Sequence, residues 1–419
     1  MDLIKYYEVI YNMENQVSKR KSLTLLIVTN IATAVIVAAI AIFAPKLELN
    51  GGLTVGDSDY TFLRKFQKLE SIKNLLQDKY VDYDQVDESK LVSGAISGMV
   101  NSIGDPYTVY LNEEDYADLM STNSGSYAGI GIYVSALNGN LVVVAPIEDT
   151  PAAQAGLKSG DIISKVDGTD MTASDMDKAV SMMKGTPGTE VTLTIYREGE
   201  GYKNITMKRA TITVKTVRHE MLKDNIGYIR ITNFDENTAD NFKSALKELK
   251  SSGMKGLVID LRDNPGGLLL TSTQIADMLL GKGTTVYTID AEGKREDWTS
   301  DESKLDMPLT LLVNGGSASA SEILSGAVRD FKAGTLIGTK TFGKGIVQTI
   351  LDLKDGTGLK VTTSRYYTPS GECIQGTGIT PNIVVEFNEE QQRKYDEGTL
   401  DYNEDPQMLK AIETIKSEL

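Results

Sequence analysis

Thr310-Leu-Leu-Val-Asn-Gly-Gly-Ser-Ala-Ser-Ala-Ser-Glu-Ile323 decides the fold of this chain. Residues 310–313 are apolar, and the run stops at Gly315-Gly316. After Ser319 the apolar positions Ile323, Leu324, Ala327, Val328 and Phe331 follow the three-and-four spacing of a helix. The stretch therefore predicts a strand, a glycine turn and a helix over 320–330, with Ser319 at the helix mouth. A serine there is an ordinary N-cap. It is also a place where free N–H groups and the helix dipole stabilise a developing oxyanion. Ser317 and Ser321 compete with Ser319 for either role.

Lys344 is the second notable residue, set between two glycines in Thr341-Phe-Gly-Lys-Gly-Ile-Val-Gln348. One reading is a solvated lysine in a turn. The other is a general base, which requires desolvation or suitable donors so that the amine sheds its proton. The chain has a single histidine, His219, so candidate bases are few. His219 lies in a polar junction, Lys215-Thr-Val-Arg-His-Glu220, and reads as a linker or surface residue. Gly338 to Lys344 matches seven positions of a phosphate-binding loop, but Gly345 stands where Ser or Thr is needed and a strand follows.

Working outward, Ile226–Ile231, Gly256–Leu261, Leu309–Val313, Thr335–Ile337 and Ile346–Leu351 read as strands, and Thr238–Lys250 as a helix between the first two. Tyr127 onward has the texture of a compact β unit, with strands at Ile130–Val134, Leu141–Ala145, Ile162–Val166 and Glu190–Arg197. A helix over Ser174–Lys184 is expected there, with Ser174 and Asp177 in capping-box positions. Residues 60–118 read as helical, with Phe62, Phe66, Leu69, Ile72, Leu75 and Leu76 on one stripe. The last residues suggest a helix from Pro406 to Leu419 with Met408, Leu409, Ile412 and Ile415 on one face. At 419 residues, two or three domains are expected.

The N-terminus differs. Leu23 to Ala44 carries no charge and follows Lys19-Arg20-Lys21 directly. That length spans a bilayer, and the basic cluster favours a cytoplasmic N-terminus. An uncleaved anchor is expected, with everything beyond about residue 45 outside the cytoplasm. The net charge of −15 gives nucleic-acid binding no support. One cysteine, Cys373, excludes an intrachain disulfide framework, and no metal or cofactor motif is visible.

Several motifs in order carry a family resemblance: Gly104-Asp-Pro-Tyr107, the β unit, Asp260-Leu-Arg-Asp-Asn-Pro-Gly-Gly267, Gly316 to Ile323, Gly338 to Gln348, and Thr363-Ser-Arg-Tyr-Tyr-Thr-Pro-Ser-Gly371. Together they closely resemble the carboxyl-terminal processing (tail-specific) proteases of the Ser-Lys peptidase family S41. The resemblance implies a mixed α/β, ClpP/crotonase-like protease core with an inserted PDZ domain, preceded by a helical region and a single transmembrane helix. The expected segments are 1–21 cytoplasmic, 22–44 anchor, 45–118 helical, 119–210 PDZ, 211–388 peptidase core and 389–419 helical tail. It implies Ser319 as nucleophile, Lys344 as general base and Gln348 as the residue orienting the lysine. Ala320 and Gly267 would supply the oxyanion hole. Gly129, Ile130, Gly131 and Ile132 would receive a peptide C-terminus, and Arg197 would gate the site. No cofactor or metal is implied. The partners implied are protein or peptide substrates with free C-termini, the membrane, and a second copy of the chain. The competing readings are a PDZ adaptor with an inactive core and an envelope scaffold.

Overall fold

The computed structural model describes the backbone from residue 57 and the side chains from residue 65 to the C-terminus. The expected segments 1–21 and 22–44 lie outside the described residues. Among the described residues no helix is long and apolar enough to cross a membrane. The chain divides into a unit ending at Lys90 and a unit comprising Leu91–Leu419.

In the first unit, α1 (Asp57–Lys79) forms where the apolar spacing predicts a helix. Its stripe is exposed: Leu69, Ile72, Leu75 and Leu76 all face solvent. The helix α2 (Glu88–Asn101) starts in this unit, and its residues from Leu91 on belong to the second.

In the second unit, β1 (Val109–Leu111) leads into α3 (Glu113–Ser124). The polar stretch at 121–126 continues this helix to Ser124. Its hydroxyls bond back to the main chain (Thr122 to Asp118 O, Ser124 to Ser121 O), and Gly125 ends the helix in the left-handed conformation.

The PDZ unit then runs through β2 (Ser126–Gly129), β3 (Ile132–Leu137), β4 (Asn140–Pro146), α4 (Pro151–Gln154), β5 (Ile162–Val166), β6 (Thr169–Asp170), α5 (Met176–Met183), β7 (Glu190–Arg197), β8 (Gly201–Lys208) and β9 (Ala210–Thr213). Its sheet has the order β3-β4-β5-β7-β8, with β6 on β5. Val191, Leu193 and Ile195 alternate into a core shared with Leu141, Val143 and Ile163. The antiparallel ribbon β2–β9 joins this unit to the rest. The helix α5 starts later than expected. The capping box belongs to a 3-10 turn ahead of it, Ala173–Asp175, where the Asp175 carboxyl accepts from the Thr172 N–H and hydroxyl.

The core sheet has the order β10-β11-β12-β15-β16-β19. It is built from β10 (Val217–Met221), β11 (Ile226–Ile231), β12 (Gly256–Asp260), β15 (Leu309–Val313), β16 (Thr335–Gly338) and β19 (Ile383–Val384), all parallel except β10. Its strands bury both faces. Ile229, Leu257, Ile259, Leu311 and Leu336 pack under α6 (Thr238–Ser251), α7 (Leu269–Leu279) and α8 (Ala320–Asp330). Ile226, Val258, Leu312 and Ile337 face the other way. They are covered by α10 (Pro406–Glu418) through Met408, Ala411 and Ile415. Leu409, expected on that stripe, is exposed, because the buried face runs 408, 411, 415.

A second sheet, antiparallel, comprises β1, β13 (Gly283–Asp290), β14 (Arg295–Ser300), β17 (Ile346–Asp352) and β18 (Gly358–Tyr367). A short helix, α9 (Glu389–Asp396), precedes α10.

Behind the ends of β12 and β15 lies a buried ionic cluster. Arg262, 3% exposed, pairs with Asp260 at 2.7 Å and with Asp405 at 2.7 Å, and so ties the start of α10 to the turn after β12. Burial pushes the Asp260 carboxyl up, but the Arg262 charge and hydrogen bonds outweigh it and hold it below the usual range. Asp405→Ala removes one partner of a buried cation. It is expected to cost about 3 kcal/mol in denaturant unfolding followed by Trp298 fluorescence.

Candidate active site

In the core sheet β12 and β15 are neighbours, so the loops leaving their carboxyl ends lie side by side. Parallel sheets commonly place their sites at this edge. Here the two loops are laced together: Ala318 N–H donates to Asn264 O at 3.0 Å, Ser317 Oγ to Leu261 O at 2.8 Å, and Ser321 Oγ to Asn264 O at 2.9 Å. Ser317 and Ser321 are fully buried and occupied in this way. Ser319, between them, is half-buried. Its φ of 53° is unusual for a residue with a side chain, and such strain persists only where surrounding contacts enforce it.

The enforcing contact is Glu322, three residues on and fully buried. Its Oε2 accepts from the Ser319 N–H at 2.9 Å and from the Lys344 N–H at 2.9 Å. Its Oε1 accepts from Thr341 Oγ1 at 2.6 Å and from the Gly343 N–H at 2.8 Å. Four donors thus converge on one carboxyl at the start of a helix, a favourable place for negative charge. Tyr366 closes the arrangement from β18. Its hydroxyl donates to Lys344 O at 2.6 Å and lies 3.2 Å from Ser319 O. Burial, reinforced by Glu322, pushes the Tyr366 phenol well above its usual value, so it stays a donor. Gly343 (φ 94°) packs against the main chain at 376–378, where a side chain has no room.

The Lys344 side chain is half-buried. Burial, with help from the Lys360 charge, pushes its amine below the ordinary lysine value, while Asp105 and Glu322 pull the other way. Its Nζ sits 4.8 Å from the centroid of the Tyr107 ring. Lys344 and Ser319 are not hydrogen-bonded to each other through their side chains. Gln348, expected beside the lysine, lies in β17 at a register shift and turns its amide toward Ile346 O.

The turn Asn264-Pro-Gly-Gly267 approaches Ser319 closely. A Cβ on Gly266 (φ 104°) would fall 2.8 Å from Ser319 Cβ and 2.9 Å from Ala320 N. Gly266 N–H is already taken by Asn264 Oδ1 at 2.9 Å. Among the described residues the N–H groups of Gly267 and Ala320 have no partner, which leaves them free to bind an oxyanion.

Gly129, Ile130, Gly131 and Ile132 stand elsewhere, at a groove of about 340 Å³ between β3 and α5. Val134, Val180 and Met183 line its apolar part, while Thr232, Asn233 and Asp235 of the core close one end. The residue between those last two, Phe234, is backbone-paired with the Asn264–Gly267 turn: its N–H donates to Gly266 O, and Leu268 N–H donates to its O. Arg197 does not reach the core here. Asp161 holds its guanidinium through two bonds of 2.6 and 2.7 Å, and Gly156 O accepts a third. His219 pairs with Glu248 on the surface of the core. Sequence reasoning passed over Glu322, Tyr366 and Tyr107. The Ser-x-x-Glu spacing could have flagged Glu322 as a cap partner, but nothing local announces its reach to residues 341–344.

Known proteins resemble this chain in sequence and fold. Residues 225–385 match the model of peptidase family S41, residues 142–197 a PDZ domain model, and residues 46–115 the activating protease CtpB N-terminal domain. The chain is 40% identical over 360 residues to a carboxy-terminal-processing protease of Bartonella bacilliformis, spanning 84% of this chain and 81% of that protein. It is 37% identical over 357 residues to carboxy-terminal processing protease CtpA of Bacillus subtilis, spanning 85% of this chain and 76% of that one. A solved S41 protein from Bacteroides fragilis shares the fold, with a TM-score of 0.50, 19% identity, and coverage of 78% of this chain and 90% of that one. The protein is thus a serine peptidase that carries a PDZ domain on a mixed α/β core. The chain belongs to the carboxy-terminal processing proteases of peptidase family S41.

Glu322→Gln turns one acceptor oxygen into a donor facing donors. It is expected to destabilise the fold by about 2–4 kcal/mol, read by denaturant unfolding, and to lower kcat more than it raises KM.

Proposed function

We propose that the enzyme cuts peptide bonds with a Ser319–Lys344 dyad, on substrates recruited by their C-terminal tails. The observation that carries this reading is the single carboxyl of Glu322, which fastens the main chains of both residues. In the reaction, neutral Lys344 takes the Ser319 proton as Oγ attacks the scissile carbonyl. The oxyanion is received by the N–H groups of Ala320 and Gly267. The tetrahedral intermediate collapses to an acyl-enzyme as the lysine returns its proton to the leaving amine. Water, deprotonated by the same lysine, then releases the product. Gln348 would orient the lysine once substrate closes the site. Tails enter the groove beside Gly129–Ile132, where strand addition on β3 supplies backbone pairing and Val134, Val180 and Met183 favour an apolar last residue.

Residues 22–44 anchor the protein in the cell membrane as a single span, with the catalytic region outside the cytoplasm. The substrates are then extracytoplasmic proteins with free C-termini. The exposed stripe of Leu69, Ile72, Leu75 and Leu76 supports a homodimer, because a helix face of this kind is usually covered.

Ser319→Ala and Lys344→Ala should each abolish turnover of a tail-bearing substrate while tail peptide still binds the groove. Full turnover by the lysine variant would remove the dyad. As the lysine must be the free base, kcat/KM should fall about tenfold per pH unit once the pH drops below its pKa. A flat profile from pH 7.5 to 5 would contradict this. Leu75→Asp should shift the protein from dimer to monomer by light scattering, and an unchanged oligomeric state would remove this interface.

A further inference from the structure

We propose that Tyr107 is a positioning residue for the catalytic lysine: its ring face holds the Lys344 ammonium and sets how readily it becomes the free base. This rests on the assignment of Lys344 as base.

Tyr107 is remote in sequence, ahead of the PDZ unit and outside the residues matched by the peptidase model. The fold brings it in deliberately. Its N–H donates to Asp105 Oδ1 at 3.1 Å, and Asp105 Oδ2 accepts from Thr108 Oγ1 at 2.6 Å. Thr108 is 5% exposed, and its hydroxyl oxygen accepts from the Thr362 N–H of β18 at 3.1 Å. The next residues pair with the same strand, Val109 opposite Lys360. The turn is therefore pinned to β18, and the Tyr107 ring is left 4.8 Å from the lysine Nζ, within cation–π range.

Among the described residues that Nζ has no ion pair and no hydrogen bond, so the ring is its principal contact. The other charged groups acting on it are Lys360 on β18, Asp105 on the turn and Glu322 on α8. An aromatic face attracts the ammonium and not the neutral amine. It thus opposes the burial that favours deprotonation.

The test compares kcat/KM against pH for the full chain and for Tyr107→Phe, Tyr107→Leu and Tyr107→Trp, on one tail-bearing peptide. Phe keeps the ring face, so its acid limb should coincide with that of the unmodified enzyme. Leu keeps bulk without the face, so its limb should move to lower pH by about 0.5–1 pH unit. Trp, the strongest cation–π partner, should hold the limb at or above its original position. A Leu limb that stays put or moves up, or Phe and Leu limbs that move together, would overturn the proposal. If the Leu variant does not fold, a Trp limb displaced to lower pH overturns it equally. A second readout is independent of turnover. The Lys344 Nζ is titrated by NMR of ¹³C-methylated lysines in Ser319→Ala, with Lys344→Arg identifying the signal. Loss of the base assignment would appear as turnover by Lys344→Ala. Loss of the Tyr107 proposal would appear as a Lys344 titration indifferent to Leu at position 107.

Discussion

One buried carboxyl organises this site. Glu322 lies in the first turn of α8, yet three of its four hydrogen bonds go to residues 341–344 on a different loop. Together with the Phe342 N–H on Ser317 O at 3.1 Å and the Tyr366 hydroxyl that reaches the carbonyls of Ser319 and Lys344, it ties the Ser319 loop to the Lys344 loop. The fourth bond, to the Ser319 N–H, holds the serine in a backbone conformation that an isolated chain would avoid. Burial makes the arrangement stringent. A carboxyl away from water must be fully satisfied, and here each oxygen accepts two bonds.

This explains a division of labour among three serines in five residues. Ser317 and Ser321 spend their hydroxyls on the neighbouring turn, which fixes the loop from both sides. Ser319 is left to present its Oγ. The same lacing brings Asn264-Pro-Gly-Gly267 against the helix mouth, where Gly266 and Gly267 are both required for space, since a Cβ on Gly267 would collide with the Phe234 main chain, and where Gly267 keeps a free N–H.

Much of the scaffold could be read from the chain. The strand candidates Ile162–Val166, Glu190–Arg197, Ile226–Ile231 and Leu309–Val313 coincide with β5, β7, β11 and β15, because their alternation or apolar runs are unbroken. The helix over 320–330 coincides with α8 for the same reason. The helix α5 starts beyond the expected Ser174 because Thr172 and Asp175 cap a 3-10 turn over Ala173–Asp175, which comes first. The exposed Leu409 and the buried Ala411 invert a reading by hydrophobicity, since helix geometry and not side-chain size sets which face meets the sheet. In the site, Ser319 and Lys344 stand out by their glycine surroundings. Glu322, Tyr366 and Tyr107 do not, because their roles come from contacts across long stretches of chain. Gln348 and Arg197 carry no such contact in this structure: one faces its own strand and the other its own domain.

Phe234 has a further consequence. The segment around it borders the tail groove through Asn233 and Asp235, and it is hydrogen-bonded on both sides to the turn that offers the Gly267 N–H. If tails dock in that groove and Ser319 is acylated, as proposed, the two events share one short piece of backbone. Whatever free energy a docked tail contributes to the posture of that piece is returned, by reciprocity, to an acyl group or inhibitor seated on Ser319. Residence time at one end becomes a gauge of occupancy at the other.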